Sequence, residues 1–525
     1  MFGLNKGASR ATPRRLRRLT GVAVVGALGS AMLAACGGSG GASAASDTLT
    51  VALPSYTPQN FDLPTNCSSP VFELAYEPLI RVNSNGEYES GIAKSWEYSD
   101  NNKVFTMKIR SGIKFADGTD VTVKSVVDTL KYYKSVPGLN DGYLKPVTVE
   151  AVGTDSVRLT SKQPARTMES LLSSGGSCNN GMIISEAGLK DPSKMKTAMF
   201  GAGPYAYVAD ESEPGDHYTY TPNPKYYDKS RQHWKKIVLR VIGDANTAFD
   251  ALATGQVQVN TVGGETLLDK VKSKGFDVTE GRPWGFGLML WDREGKVAKP
   301  LADVRVRQAM AYALDREQIA KVVGPATKPL DQFGLPGLTG HDPAQPTRYS
   351  YDVDKAKQLL AKAGYPDGFT ATMLLDSDDP DAKNGVSAAV EQLSKVGIKI
   401  ELKSSPETTF FTDLASAKYP IGAMSWALLG DIPTEANRLY KLPFSAVLNP
   451  MGSVDPELDK AYEKLATSDD ATVGEQAKHF NELMTEKAWY VPISSSPKYV
   501  YSKGVEIGKP ATDGEYDVTS WKPKG

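Results

Sequence analysis

Val386-Ser-Ala-Ala-Val-Glu-Gln-Leu-Ser-Lys-Val-Gly-Ile-Lys-Ile-Glu-Leu402 decides the fold class. Val386, Ala389, Val390, Leu393 and Val396 recur at helical spacing and fall on one face. Gly397 follows them and supplies a residue at which a helix readily ends. Ile398 to Leu402 then reads as a strand, so helix, glycine and strand follow one another directly, the mark of an α/β protein. Upstream, Asp352 is placed to cap a helix with an apolar stripe of Val353, Ala356, Leu359, Leu360 and Ala363, and Gly364 ends it. Nearer the N-terminus, Thr48 to Leu53 alternates like a strand. Residues 104–110 put Phe105, Met107 and Ile109 on one face, and Thr106, Lys108 and Arg110 on the other. Asp117-Gly118 marks a turn, and Val121 to Tyr133 reads as a helix.

The first 46 residues have a different character. Lys6, Arg10, Arg14, Arg15, Arg17 and Arg18 precede a short apolar run that ends at Leu33-Ala34-Ala35-Cys36, and no acidic residue occurs before Asp47. A basic start, a short apolar run and small residues at its end predict an export signal over 1–35, too short to favour a membrane span. Leu-Ala-Ala-Cys is similar to the bacterial lipobox, which implies a lipid-modified Cys36 on the extracytoplasmic face of the cell membrane. Residues 36–46 then form the lipidated cysteine and a flexible Gly/Ser tether. The chain carries 60 basic and 61 acidic residues, so losing those six basic residues leaves a net charge of about −7. That balance argues against a nucleic-acid partner. With Cys36 acylated, Cys67 and Cys178 remain as a candidate disulfide in an oxidising compartment, closing a loop of about 110 residues. Chain entropy assigns such a bridge up to about 4–5 kcal/mol.

No catalytic constellation is visible. The four histidines, His217, His233, His341 and His479, show neither an HExxH pattern nor paired ligand spacing. Neither a Walker A loop nor a strand-borne GxGxxG occurs. Asp376-Ser377-Asp378-Asp379-Pro380-Asp381 superficially suggests a calcium loop, but Asp381 stands where that loop requires glycine, so a solvated turn is expected. No enzyme activity, cofactor or metal is expected.

Several blocks, taken in order, carry a family resemblance. Tyr76-Glu77-Pro78-Leu79, Gly91-Ile92-Ala93-Lys94-Ser95-Trp96 and Ile113-Lys114-Phe115-Ala116-Asp117-Gly118 resemble the N-terminal signature of the peptide- and nickel-binding class of ABC-importer solute-binding proteins. Gly201-Ala202-Gly203-Pro204-Tyr205, Asn223-Pro224-Lys225-Tyr226-Tyr227 and Asp303 to Ala309 with Ala313-Leu314-Asp315-Arg316 are similar to further blocks of that class, as is the stretch from Tyr351 to Tyr365. The resemblance implies a two-lobed periplasmic-binding-protein fold of the type II-like kind that closes on its ligand. Lobe I would comprise 47–285, with an extra subdomain near 85–200, and lobe II 286–491. The segment 492–525 would return to lobe I. It further implies a monomer that serves an ABC permease. From the sequence, Asp303, Arg305 and Arg307 read as a helix cap and as exposed or ion-paired helix charges.

The resemblance also marks a ligand strip, Met424 to Asp431, with Trp426 beside the ligand. Peptide binders of the class have a W-x-x-D motif whose acid meets the peptide ammonium, a group that is costly to desolvate unpaired. Here Leu429 occupies that position and Asp431 is the nearest acid. Either Asp431 reaches the ammonium or the ligand lacks a free amine. Trp291 stands where the class usually has Asn. Aromatic residues in irregular segments extend the candidate set to Tyr56, Tyr143 and Trp284, and motif spacing adds Asn66. Peptides lead as ligand, followed by oligosaccharides and metal chelates. A secreted lipoprotein hydrolase is the rival of another class.

Overall fold

The computed structural model describes residues 47–525 apart from 55–57, 59, 67–69, 84–86, 137–143, 165, 175–178, 282, 337, 345–347, 428–431, 442–447 and 509–516. The signal, Cys36 and the tether therefore lie outside the described residues, as do Tyr56, Cys67, Tyr143, Cys178, Leu429 and Asp431.

Among the described residues, seventeen strands build the three larger sheets and are numbered here in chain order. They are β1 (Thr48–Leu53), β2 (Ala93–Ser99), β3 (Val104–Ile109), β4 (Thr148–Val152), β5 (Ser156–Thr160), β6 (Tyr205–Tyr207), β7 (His217–Pro222), β8 (Lys236–Val241), β9 (Val259–Asn260) and β10 (Asp277–Glu280). After these come β11 (Trp284–Leu290), β12 (Lys328–Pro329), β13 (Phe369–Asp376), β14 (Ile398–Ser405), β15 (Ile421–Ala427), β16 (Tyr490–Ser496) and β17 (Tyr499–Ser502). A seven-stranded sheet runs β10-β17-β9-β1-β8-β7-β6, and a six-stranded sheet runs β12-β16-β11-β15-β13-β14. A four-stranded antiparallel sheet, β2-β3-β5-β4, packs into the core of the first.

The alternation of β3 is realised. Phe105, Met107 and Ile109 are buried, whereas Lys108 is exposed. The helix expected from Val121 is α1 (Val123–Ser135), because Thr122 caps it by accepting from the backbone N–H of Ser125. Asp352 caps α2 (Val353–Lys362) through Lys355 N–H, with Gly364 left-handed at φ +89°. The helix ahead of Gly397 is α3 (Pro380–Ser394), capped by Asp379. The acidic run before it is the cap and turn of that helix.

Motif blocks far apart in sequence prove to be partners. Gly203 and Tyr205 donate their N–H groups to Ala75 and Leu74 carbonyls, both at 2.9 Å, which lays the 201–205 turn on the segment leading into Tyr76. A Cβ on Gly203 would stand 2.4 Å from the carbonyl carbon of Ala75, so only glycine permits that approach.

The two large sheets do not share a core. Leu49, Val51, Leu53, Phe105 and Tyr220 belong to one buried cluster, and Ala52, Phe249 and Tyr501 to a second on the other face of the first sheet. Every buried member of the two clusters around the second sheet lies between Phe286 and Ile493. The chain passes between the sheets twice, at 281–283 and at 497–498. Tyr490–Ser496 is hydrogen-bonded along β11 in the second sheet, and Tyr499–Ser502 belongs to the first.

Candidate functional site

Parallel strands define a direction, and ligands of open α/β sheets lie outside their carboxyl ends. In the first sheet β1 runs parallel to β8 and β9, and in the second β13 runs parallel to β14 and β15. Glu280 pairs with Tyr499 at the carboxyl end of the first set. Trp284 pairs with Ala427 and Ser496 at the carboxyl end of the second. Both crossings therefore join the carboxyl ends, and Gly281 N–H donates to the Lys498 carbonyl at 2.6 Å to bind one crossing to the other. Strands β1, β13 and β15 end at this junction.

On the side of the first sheet, the loop after β1 is anchored by fully buried Phe61 and Leu63. Asn66 spends its amide on the Asp62 carbonyl at 2.8 Å, and its own carbonyl accepts from Asn179 Nδ2 at 2.8 Å. Asn179 is left-handed at φ +59° and buried, and its Oδ1 lacks a hydrogen-bond partner among the described residues.

On the side of the second sheet, one carboxylate organises the end of β15. Asp379 accepts from the N–H groups of Asp381 and Ala382 at 3.0 Å, from Ser425 N–H at 2.6 Å and from Ser425 Oγ at 3.1 Å. It fixes the backbone one residue before Trp426, whose side chain lies outside the description. Asp376 ends β13 half-buried, and burial pushes its carboxyl above the ordinary value. Trp284 opens β11 with a buried indole N–H that has no partner among the described residues. The Lys498 ammonium sits 4.7 Å from the Trp284 ring centroid and 3.1 Å from Asp381. Glu265, from the first-sheet side, accepts from Ala326 N–H and from Thr327 Oγ1, the latter at 3.3 Å.

The candidates divide accordingly. Asn66 is tied to Asp62 and Asn179 on the first-sheet side; Trp284 borders the junction and the backbone of Trp426 reaches it. Trp291 does not: it is fully buried beyond the opposite end of β11, where its backbone N–H donates to the Pro420 carbonyl at 2.9 Å. Seven residues of strand place it roughly 20 Å or more from Trp284. It is buried in the core of the second sheet, and the structure does not bring it to the junction. Lys498, Asp379, Glu265 and Asn179 were not found from sequence. No local pattern marks Lys498, Glu265 or Asn179, whose partners come from distant segments; Asp379 is a local helix cap, and only its bonds to Ser425 are distant.

The charges of the 303–316 block are structural, with one difference from expectation. Asp303 caps the helix Val304–Tyr312 and pairs with exposed Arg305 at 2.5 Å. Arg307 is buried instead of exposed, and donates to the Leu301 carbonyl at 2.8 Å and the Lys487 carbonyl at 3.1 Å. Arg316 is buried too, bonding the Pro492 carbonyl at 2.8 Å and the Tyr349 carbonyl at 2.9 Å. Burial lowers its guanidinium to about 10, so it stays charged at neutral pH. These two side chains staple the segment entering β16. Among the described residues no cluster of potential metal ligands occurs, and no helix is long and apolar enough to cross a membrane.

Comparison with known proteins agrees with this geometry. The family model of the bacterial extracellular solute-binding proteins, family 5 Middle, matches residues 87–449. The glutathione-binding protein GsiB of Escherichia coli K12 is 26% identical over 384 residues, covering 71% of this chain and 72% of the relative. The oligopeptide-binding protein OppA of Bacillus subtilis 168 is 26% identical over 440 residues, covering 77% and 79%. Among solved structures, the periplasmic binding protein AgaA of A. tumefaciens R10, in complex with agropinic acid, aligns with a TM-score of 0.78 at 24% identity. The alignment covers 91% of this chain and 99% of that one. The fold is the mixed α/β fold of periplasmic binding proteins.

Proposed function

Because the chain belongs to the bacterial extracellular solute-binding proteins of family 5, the non-enzymatic binding receptors of ABC importers, we propose that it captures a peptide between two lobes and delivers it to a membrane permease. Lobe I would be built on the first sheet and lobe II on the second. The observation that carries this reading is the pair of crossings that join the carboxyl ends of two sheets with separate cores. Such a joint bends without breaking either core, and a ligand touching both sides favours the closed state by its differential affinity. Peptide is the leading ligand, supported by the relatives' names as glutathione- and oligopeptide-binding proteins. Tyr56, Asn66, Tyr143, Trp284, Trp426 and Leu429 would line the cleft, with Asp431 as counter-charge to the ammonium. A small acid without a free amine is the second reading, favoured by Leu429 at the acid's position and by the AgaA complex with agropinic acid.

Thermal-shift screening tests this. A solute present at a hundred times its Kd stabilises the native state by about 2.7 kcal/mol, a rise of several degrees. Failure of every peptide, sugar, chelate and small acid to raise Tm would end the receptor reading. Asp431→Asn is expected to weaken a peptide with a free amine at least tenfold; unchanged affinity would exclude the counter-charge and favour the second reading.

The anchor and the disulfide are part of the same proposal. Cys36→Ala is expected to abolish labelling by a fatty-acid analogue and release the protein from the membrane fraction; retention of both would refute lipidation. A Cys67–Cys178 bridge is supported by the hydrogen bond between their neighbours Asn66 and Asn179. Intact mass should rise by two hydrogens on reduction, and an unchanged mass would exclude the bridge.

A further inference from the structure

Asp100, Asn101 and Asn102 join β2 to β3 with three successive left-handed residues, at φ +50°, +50° and +62°. Asp and Asn tolerate this region better than other side chains, but single residues are the rule and three in a row are uncommon. The turn closes with Lys103 N–H on the Asp100 carbonyl at 3.0 Å. Its third residue reaches across the molecule: Asn102 Nδ2 donates to the carbonyls of Ala466 at 3.0 Å and Ser468 at 2.9 Å. These belong to the carboxyl end of the helix Pro456–Thr467, whose last carbonyls have no partner within the helix. Arg166, just after β5, donates from Nη1 to the same Ser468 carbonyl at 2.9 Å and pairs with Asp470.

The two sides of this contact belong to different cores. Phe105 and Val157 of the small sheet pack with the first sheet, whereas Leu458, Ala461 and Leu465 of the helix pack with the second. The contact is polar and holds a helix end by its unsatisfied carbonyls. It is held by hydrogen bonds of defined geometry. The ion pair contributes little, because the Asp470 side chain is 97% exposed. The hydrogen bonds to Ala466 and Ser468 carry the contact.

We propose that the Asp100-Asn101-Asn102 turn and Arg166 form a closure latch, a second point of contact between the lobes that stabilises the closed state independently of the ligand. The proposal rests on the two-lobe reading above. Each such hydrogen bond shifts an equilibrium by roughly two- to tenfold. Losing all three is expected to raise the open-to-closed ratio tenfold or more, and to weaken apparent ligand affinity by the same fall in the competent fraction.

The test needs no ligand. Asn102→Gly keeps the left-handed turn and removes only the amide; Arg166→Gln removes the reach of the guanidinium. Small-angle scattering of the purified, ligand-free protein is expected to show a larger radius of gyration for the double variant than for the parent. Hydrogen exchange should be faster over 98–106 and 464–472 only. Superimposable scattering and exchange would overturn the latch. If the double variant melts early, the comparison is made with Arg166→Gln alone, which is expected to shift in the same direction by a smaller amount; no shift overturns the proposal equally. Failure of the ligand screen would overturn the receptor reading and leave this result standing, so the two are separable.

Discussion

Trp291→Ala is expected to destabilise the protein by about 3–5 kcal/mol while leaving the solute affinity of the folded protein within about twofold. Trp291 is among the largest fully buried side chains. It packs with Met289, Leu374, Phe410 and Tyr490 in one core cluster of the second sheet. Its ring lies on Gly422, where an added Cβ would stand 2.1 Å from Cη2. That approach leaves no slack, so truncation opens a cavity that rigid neighbouring strands cannot close. The residue lies beyond the far end of β11 from the crossings, which is why affinity should survive. Urea unfolding gives the first quantity and ligand titration below the shifted melting point gives the second. Loss of affinity in a protein that remains folded would restore Trp291 to the ligand site.

Glu77→Ala is expected to cost a similar amount, about 3–5 kcal/mol, because it strands a charge. Glu77 is 2% exposed. It accepts from Tyr226 Oη at 2.8 Å, Tyr227 Oη at 3.0 Å and Arg81 at 2.5 Å. Arg81 in turn donates to both phenol oxygens, at 2.7 and 2.8 Å. Glu77, Tyr226 and Tyr227 of two motif blocks and Arg81 just past the first thus satisfy one another, and removing Glu77 takes away the ion-pair partner of the Arg81 guanidinium. Glu77→Gln keeps an acceptor and should cost less. Asp128→Ala, which breaks only the exposed pair with Lys124, is expected to stay within about 0.5 kcal/mol. Equilibrium urea unfolding of the three variants checks the order; a Glu77→Ala cost below about 1 kcal/mol would contradict the network's role.

The family blocks read from sequence turn out to be largely scaffolding. Tyr76 to Leu79 and Gly201 to Tyr205 lie against each other, Asp303 caps a helix, and Arg307 and Arg316 staple backbone carbonyls. Blocks that stand together in space are demanded together, which explains why their order was informative about fold and poor at naming a site. Trp291 illustrates the ambiguity. An aromatic residue beside a motif reads equally well as ligand wall or core, and only the strand's direction separates the two.

Sequence alone determined what depends on neighbours in the chain. Examples are the helix, glycine and strand at 386–402, the alternation of β3, the Asp352 cap and its glycine stop, and the compartment expected from the first 46 residues. Each follows from local periodicity or backbone preference, which a few consecutive residues carry in full. Tertiary structure decided the rest: that two sheets keep separate cores, that both crossings join carboxyl ends, that Lys498 meets Trp284 and Asp381, and that Asn102 finds a helix end 364 residues away. These contacts pair atoms whose separation along the chain leaves no periodic trace. They form only because burying the apolar faces elsewhere brings their backbones together.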